Sequence, residues 1–340
     1  MAQRRSGFVT GGTWCVDRNK LLPYWPAEDG LVEIEAVEQR GGGSGCNFAA
    51  DMRRLDPAMP VETIGLVGED ADGRFLLAEA DAFGIGRAQL HTTNRIATQY
   101  TDAFGSRRSG RRTHLYFPGT AALLTPEHFD FSRTTASILH LGLPGVHRIM
   151  DAPWAGEANG WVAVLRQARA AGLRTNMELA SIAPARLADL VRPCLPHLDT
   201  LIVNDHEIGA LGGEATVAGD VTDIDACTRA VQAVLALGPM SLVVAHFPAG
   251  AVAAVRGGGT VRQPSVRVPP DAIAAANGAG DAFAAGMMLG VHAGWSVEDC
   301  LALGHATAAA SLRALSTTGA VEGWRDCLAL AERWGYRDPL

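Results

Sequence analysis

Ala275-Ala276-Asn277-Gly278-Ala279-Gly280-Asp281-Ala282-Phe283-Ala284-Ala285-Gly286 is a glycine-rich turn that runs straight into an apolar helix. Gly278 and Gly280 let the backbone turn tightly and come close to a ligand. The helix opening behind them aims free N–H groups and a partial positive charge at whatever sits there. The stretch therefore reads as an anion site. Asp281, in the first turn, can accept a proton from a hydroxyl held beside the same anion. Phosphoryl transfer to an alcohol uses that combination of base and clamp. A Gly-x-Gly-Asp turn is also an ordinary helix start with an acidic cap, so the decision falls to the rest of the chain.

Composition removes several classes. The chain has 340 residues and a formal charge of −7, which fits a single large α/β domain and speaks against a dedicated nucleic-acid binder. Its six cysteines (Cys15, Cys46, Cys194, Cys227, Cys300 and Cys327) contain no C-x-x-C pair, so neither a zinc knuckle nor a disulfide framework is expected and a reducing cytoplasm is. No signal-peptide core follows the basic start, and no apolar run is long enough for a bilayer; secretion and membrane insertion are not expected. The only lysine is Lys20, followed by Leu21-Leu22. A Walker A loop, which needs Lys-Ser or Lys-Thr after its glycines, is thereby ruled out. Phosphate charge must be met by backbone dipoles, a metal or arginines.

Along the chain, Phe8–Gly12 reads as a buried first strand, leaving through Thr13 to Asp17 and placing Asp17 at its C-terminal mouth, where open α/β sheets bind ligands. Leu31 to Glu38 alternates apolar and acidic residues as a half-exposed strand would. Gly41-Gly42-Gly43-Ser44-Gly45-Cys46-Asn47 then opens a helix. The G-x-G-x-x-G fingerprint fails from either Gly41 or Gly43, which leaves exposed backbone at a helix start and an Asn47 amide suited to sugar hydroxyls or to capping. Val61–Gly68 is a strand, followed by a helix through Phe83. Two strands, 96–101 and 113–117, form a hairpin around an arginine-rich turn and, with the 31–38 strand, a small projecting lid. The arginines there (Arg107, Arg108, Arg111, Arg112) read as a solvated turn or as a grip on an anionic substrate.

From Ser137 the β-α alternation resumes, predicting a parallel sheet with helices on both faces. Asn204-Asp205-His206-Glu207 ends one strand and opens a helix, so Asn204 and Glu207 share a face at the sheet's C-terminal edge. Asn204 suits a cap, and Glu207 suits a hydrated Mg²⁺ near phosphate. Strands follow at Leu242–Ala245 and Ala251–Val255, and helices from Asn277 to about His292 and from Val297 to Leu315. His140, His246 and His305 read as packed or surface imidazoles, with no metalloenzyme spacing.

Asp17, then Gly42-Gly43-Ser44-Gly45-Cys46-Asn47, then Asn204-Asp205-His206-Glu207, then Gly278-Ala279-Gly280-Asp281 resembles the ribokinase (PfkB) family of carbohydrate and nucleoside kinases over nearly the whole length. The resemblance implies a ribokinase-like three-layer α/β sandwich with a mostly parallel central sheet. It implies one kinase domain over 1–340, with lid strands inserted at about 18–40 and 92–118 and often shared in a homodimer. Asp281 would be the base, with the N–H groups of Gly278, Ala279 and Gly280 as the anion hole. Asp17, Gly42, Gly43 and Asn47 would bind substrate. Asn204 and Glu207 match the family's Asn-x-x-Glu, which helps place the Mg²⁺ and ATP phosphates, and His305 falls on the helix that lines the adenine pocket.

Two departures stand out. Ala275-Ala276-Asn277 replaces the usual Asp-Thr-Thr, removing the acid that helps build a monovalent-cation site and leaving activation by K⁺ open. Around Ala245–Gly250 only the last glycine of the nucleotide-side Thr-x-Gly-x-x-Gly survives. The expected activity is ATP-dependent phosphorylation of a small carbohydrate or sugar acid. A nucleoside kinase, with Trp14, Tyr100, Tyr116 or Phe117 beside a base, and a sugar-phosphate kinase are alternatives within the family. A carbohydrate-binding protein that has lost turnover is the alternative of another class.

Overall fold

The computed structural model describes residues 5–110, 112–274, 278–314 and 316–340. The chain begins with β1 (Phe8–Gly12), β2 (Cys15–Leu22), β3 (Ala36–Gly42), α1 (Ser44–Leu55), β4 (Val61–Gly68), α2 (Ala71–Ala82) and β5 (Gly86–Thr93). It continues with β6 (Tyr100–Ser106), β7 (Arg112–Phe117), β8 (Ile138–Gly142), α3 (Gly160–Ala170), β9 (Arg174–Met177), α4 (Pro184–Val191), β10 (Thr200–Asn204) and α5 (Asp205–Gly212). A short hairpin, β11 (Val217–Ala218) and β12 (Val221–Thr222), precedes α6 (Ile224–Ala236), β13 (Leu242–Phe247), β14 (Gly250–Val255) and β15 (Gly259–Pro264). The last described elements are α7 (Ala279–Ala293), α8 (Val297–Ser311) and α9 (Trp324–Trp334).

Nine strands form the main sheet in the order β15-β14-β13-β10-β9-β8-β1-β4-β5. All neighbours are parallel except β13–β14 and β14–β15. Strand side chains alternate between two apolar layers: Phe8 packs on one face and Val9 on the other, as do Ile202 and Val203, and Val244 and Val243. One layer is closed by α1, α2, α7, α8 and α9, the other by α3, α4, α5 and α6. Two covered faces make a three-layer sandwich. Phe48 and Trp161, each fully buried, anchor the two layers; truncating either to alanine would cost about 3–5 kcal/mol.

The lid is a separate four-stranded sheet ordered β3-β2-β6-β7. β2 pairs antiparallel with β3 and parallel with β6, and β6 pairs antiparallel with β7. Its register places Asp17 beside Arg40 and Thr101, with Tyr116 next across the sheet. Val16, Arg18, Lys20, Tyr100, Asp102, Leu115 and Phe117 lie on the opposite face.

Several element boundaries differ from the sequence reading. Asp17 lies inside β2 rather than in a loop, because the chain pairs with the lid as soon as it leaves Trp14. The strand expected at Leu31–Glu38 is Ala36–Gly42, since pairing with β2 ends at Leu21↔Ala36; upstream, Leu31 is 95% exposed. The first hairpin strand starts at Tyr100 rather than Ile96, and the helix expected to reach Leu315 ends at Ser311. β5, β15 and α9 were not legible at all. β5 is a sheet-edge strand reading Gly-Arg-Ala-Gln-Leu-His-Thr-Thr, with no apolar alternation to mark it. Ala275, Ala276, Asn277 and Arg111 lie outside the described residues, and so does the cation-site expectation that rested on Ala275.

Candidate active site

The C-terminal ends of β1, β8, β9 and β10 open into one cleft, and α7 starts at its floor. Gly278 caps α7 in the left-handed conformation, φ 72°, and no side chain caps the helix. A side chain at Gly278 would collide with Thr317, its Cβ falling 2.7 Å from the Thr317 Cα. The first-turn N–H groups of α7 therefore face the cleft without an acceptor from within the helix. Asp281 is the third residue of that helix.

The structure joins Asp281 to Asn47. Gly43, at φ 85°, starts α1 without a side-chain cap, and Asn47 one turn on is 5% exposed. Its Nδ2 donates to Asp281 Oδ2 at 2.7 Å, while its Oδ1 accepts from Thr317 Oγ1 at 3.0 Å. Asn47 thus orients the carboxylate rather than merely capping α1. Gly42 gives way to Asp17, whose Oδ2 would lie 2.0 Å from a Cβ there; glycine is required for that approach. Asp17 also receives hydrogen bonds from Cys15 and Thr101.

Sequence reasoning missed Glu178; His140, read as a packed or surface imidazole, is packed and fully buried, and the structure adds its hydrogen-bond partners. Glu178 follows β9 at the sheet's C-terminal edge, the position that singled out Asp17 and Asn204, and that rule would have found it. His140 and Asn176 are paired across β8 and β9, and Asn176 Nδ2 donates to His140 Nδ1 at 2.8 Å. The opposite ring nitrogen, Nε2, meets Glu178 Oε2 at 2.8 Å. The ring itself is stacked on Phe48, 3.9 Å between centroids. Glu178 in turn hydrogen-bonds Asp281. Burial and the Glu178 charge push Asp281 well above the usual carboxylate range. Burial raises Glu178 to about 7, as the charge of Glu207 also does. Burial and the charge of Asp281 hold Asp17 up at about 6. Burial keeps His140 neutral, its pKa lowered to about 3.

Asn204 and Glu207 meet each other first. Asn204 Oδ1 accepts from the Glu207 N–H at 2.9 Å and Glu207 Oε2 from the Asn204 N–H at 3.0 Å, a capping box that starts α5. Burial raises Glu207 to about 7. Beside them a cavity of about 430 Å³ runs past His246 and Phe283 to His305, walled by Val266, Val268 and Ala309. His305 is 4% exposed. Its ring is hydrogen-bonded to the Gln263 main chain, and its Nε2 has no partner. Burial lowers its pKa to about 3, so Nε2 is a bare acceptor in an apolar slot of a size for a heteroaromatic base. His246 lies across the opening, 3.2 Å from where a Gly280 Cβ would stand.

Among the described residues no cluster of His, Cys, Asp and Glu has metal-binding geometry, and no helix is long and apolar enough to cross a membrane. The description "pfkB family carbohydrate kinase" matches residues 15–323. The chain belongs to the pfkB family. Solved structures share its architecture. Arabidopsis thaliana ribokinase complexed with ribose and ATP is 20% identical over 96% of this chain and 99% of that one, with a TM-score of 0.76. A putative ribokinase II from E. coli in complex with ATP and Mg²⁺ is 17% identical over 96% and 99%, TM-score 0.77. Methanocaldococcus jannaschii nucleoside kinase is 16% identical over 97% and 99%, TM-score 0.72. These likenesses show the pfkB fold, mostly parallel sheet and small lid included. No curated protein matches the chain.

Proposed function

We propose that this pfkB protein is an ATP-dependent sugar kinase, one catalytic unit over its whole length, that transfers the γ-phosphoryl group to a hydroxyl of a small neutral carbohydrate. The observation that carries the reading is Asp281 held by Asn47 at the uncapped start of α7, a base and an array of free N–H donors on one element. Asp281 takes the acceptor's proton, and the N–H groups of Gly278, Ala279 and Gly280 stabilise charge on the transferred group. Asp17, with the backbone at Gly42 and Gly43, holds the sugar hydroxyls. A non-catalytic binder would have no use for this base.

The residues fit Mg²⁺ and ATP. Asp17, Glu178, Glu207 and Asp281 influence one another's titration, and no lysine or arginine is among the groups acting on them. Nucleotide phosphates would be repelled from that cleft without a divalent cation, and Mg²⁺ supplies the neutralising charge there. Glu207 would hold it through water, Asn204 would help place the phosphates, and His305 would accept from the amino group of the base.

The same acidity favours a neutral acceptor. Two of the lid arginines are engaged elsewhere: Arg107 pairs with Glu35 and Arg108 lies over Tyr24. A nucleoside is disfavoured because Trp14 is buried with its Nε1 on Thr63, and Tyr100 and Phe117 stack on each other on the lid face away from Asp17. One observation favours a second reading, a sugar acid or sugar phosphate. Arg148 and Arg186 line a cavity of about 320 Å³ beneath Tyr116, on the Asp17 side of the lid. ADP release from Mg·ATP across neutral sugars, sugar acids, sugar phosphates and nucleosides tests all of these, and no release with any acceptor would overturn the kinase reading. The six cysteines, all free and buried, support a cytoplasmic setting, and exposed Val37 and Leu115 on the lid support a homodimer through it.

A further inference from the structure

We propose that Glu178, held by His140, is the proton-sharing partner of Asp281: it orients the base and takes up the proton that the base removes from the acceptor hydroxyl. The inference rests on the kinase reading above and concerns residues that the family motifs do not include. It stands on a chain of contacts. Asn176 Nδ2 donates to His140 Nδ1, leaving the Nε2 hydrogen of the imidazole to point at Glu178 Oε2. Glu178 then hydrogen-bonds Asp281, whose other fixed partner is Asn47. Two carboxyl groups in hydrogen-bond contact cannot both be ionised at little cost, so the pair holds one proton between them. His140 is fully buried, whereas the Glu178 side chain is 15% exposed and reaches cleft water.

The step balances. The acceptor O–H bond breaks as its oxygen bonds the γ-phosphorus, and the bridging P–O bond breaks with its electron pair leaving on the nucleoside diphosphate. With Asp281 ionised and the pair's one proton on Glu178, the acceptor's proton passes to the Asp281 carboxylate, Glu178 releases its own proton to water, and the proton on Asp281 then crosses to Glu178, which returns the pair to one proton. His140 donates to Glu178 throughout and fixes its carboxyl plane. The titratable groups acting on Asp281 or acted on by it are Glu178, His140 of β8, Asp17 of β2, Asp51 of α1 and Glu207 of α5. Arg54 is the one cation, and it acts on Asp51. The apparent values therefore belong to the Asp281–Glu178 pair within an acidic surround.

Glu178→Gln tests this because it is isosteric: its amide oxygen still accepts from His140 and its N–H₂ still donates to Asp281, so orientation survives and proton uptake does not. Two measurements are made on wild type and variant: kcat against pH with the best wild-type acceptor, and the ¹³C-carboxyl NMR titration of Asp281 in the ligand-free protein, assigned with Asp281→Asn. The expected result is a kcat lower by about 10- to 100-fold. The Asp281 titration and the acidic limb of kcat should both move to lower pH, because a charge that raised its proton affinity is gone. Glu178→Asp, which keeps a carboxyl, should fall between wild type and Glu178→Gln, and it serves as the test variant if the amide fails to fold. Unchanged kcat and pH profile in Glu178→Gln, or an unmoved Asp281 titration, overturn the proposal. A wild type idle with every acceptor would sink the kinase reading instead, and the NMR titration would still decide the coupling.

Discussion

Asn47 Nδ2 donates to Asp281 Oδ2 at 2.7 Å, across 234 positions of sequence. The bond ties the first helix of the chain to the glycine-started helix that floors the cleft, and it favours the ionised form of Asp281 against the pull of burial and of Glu178.

Asn47→Ala removes that donor. Asp281 should then titrate higher, moving the acidic limb of kcat/KM to higher pH, and kcat/KM at neutral pH should fall about 10- to 100-fold, the worth of a hydrogen bond to a charged group. A pH profile of the variant checks both. An unshifted limb would mean that Asn47 serves Thr317 and the sugar alone.

Glu207 has a structural task and a proposed functional one, and Glu207→Gln separates them. Glutamine still accepts from the Asn204 N–H, so the capping box and melting temperature should be nearly unchanged. The Mg²⁺ concentration for half-maximal rate should rise about tenfold. An unchanged Mg²⁺ requirement would assign Glu207 to the cap only.

How much of this was legible in the sequence depended on range. Gly278–Asp281, Asn204 and Glu207 announced themselves because each sits at a helix start, where local residue type and function coincide. The sheet was readable because Phe8-Val9, Ile64 to Val67, Ile138 to Leu141 and Leu242 to Ala245 are mostly apolar stretches, the mark of strands buried on both faces. Edge strands β5 and β15 lacked that pattern. Asn47's engagement with Asp281, Thr317's with Asn47, and the His140–Glu178 contact are long-range pairings, and no periodicity in a single chain encodes them.

His147 offers a stability test away from the proposed chemistry. It is 1% exposed, packs edge-on against Trp161, and burial lowers its pKa to about 4. Below the unfolded value of about 6.5 the unfolded chain binds a proton that the fold refuses, so stability falls as pH drops from there toward 4. His147→Gln should abolish about 2 kcal/mol of the stability lost between about pH 7 and about pH 5. Denaturant titrations of both proteins at the two pH values read this. The comparison must be between variants, because Asp17, Glu178 and Glu207, raised in the fold, act with the opposite sign over the same window.

The lid should dimerise. Val37 is 64% and Leu115 56% exposed on its face away from Asp17, and Trp25 packs against Phe104 there. Sedimentation velocity should find a dimer for the wild type and a monomer for Val37→Glu with Leu115→Glu. A wild-type monomer would contradict the dimer through the lid.

The central claim is that Asp281 is the base of a sugar kinase, and ADP release by wild type and Asp281→Asn with the same neutral sugar and Mg·ATP, beside calorimetric binding of that sugar to both, tests it most directly. The account predicts a rate lower by about 10²- to 10⁴-fold in Asp281→Asn with sugar affinity largely kept. A variant that turns over at the wild-type rate would contradict it.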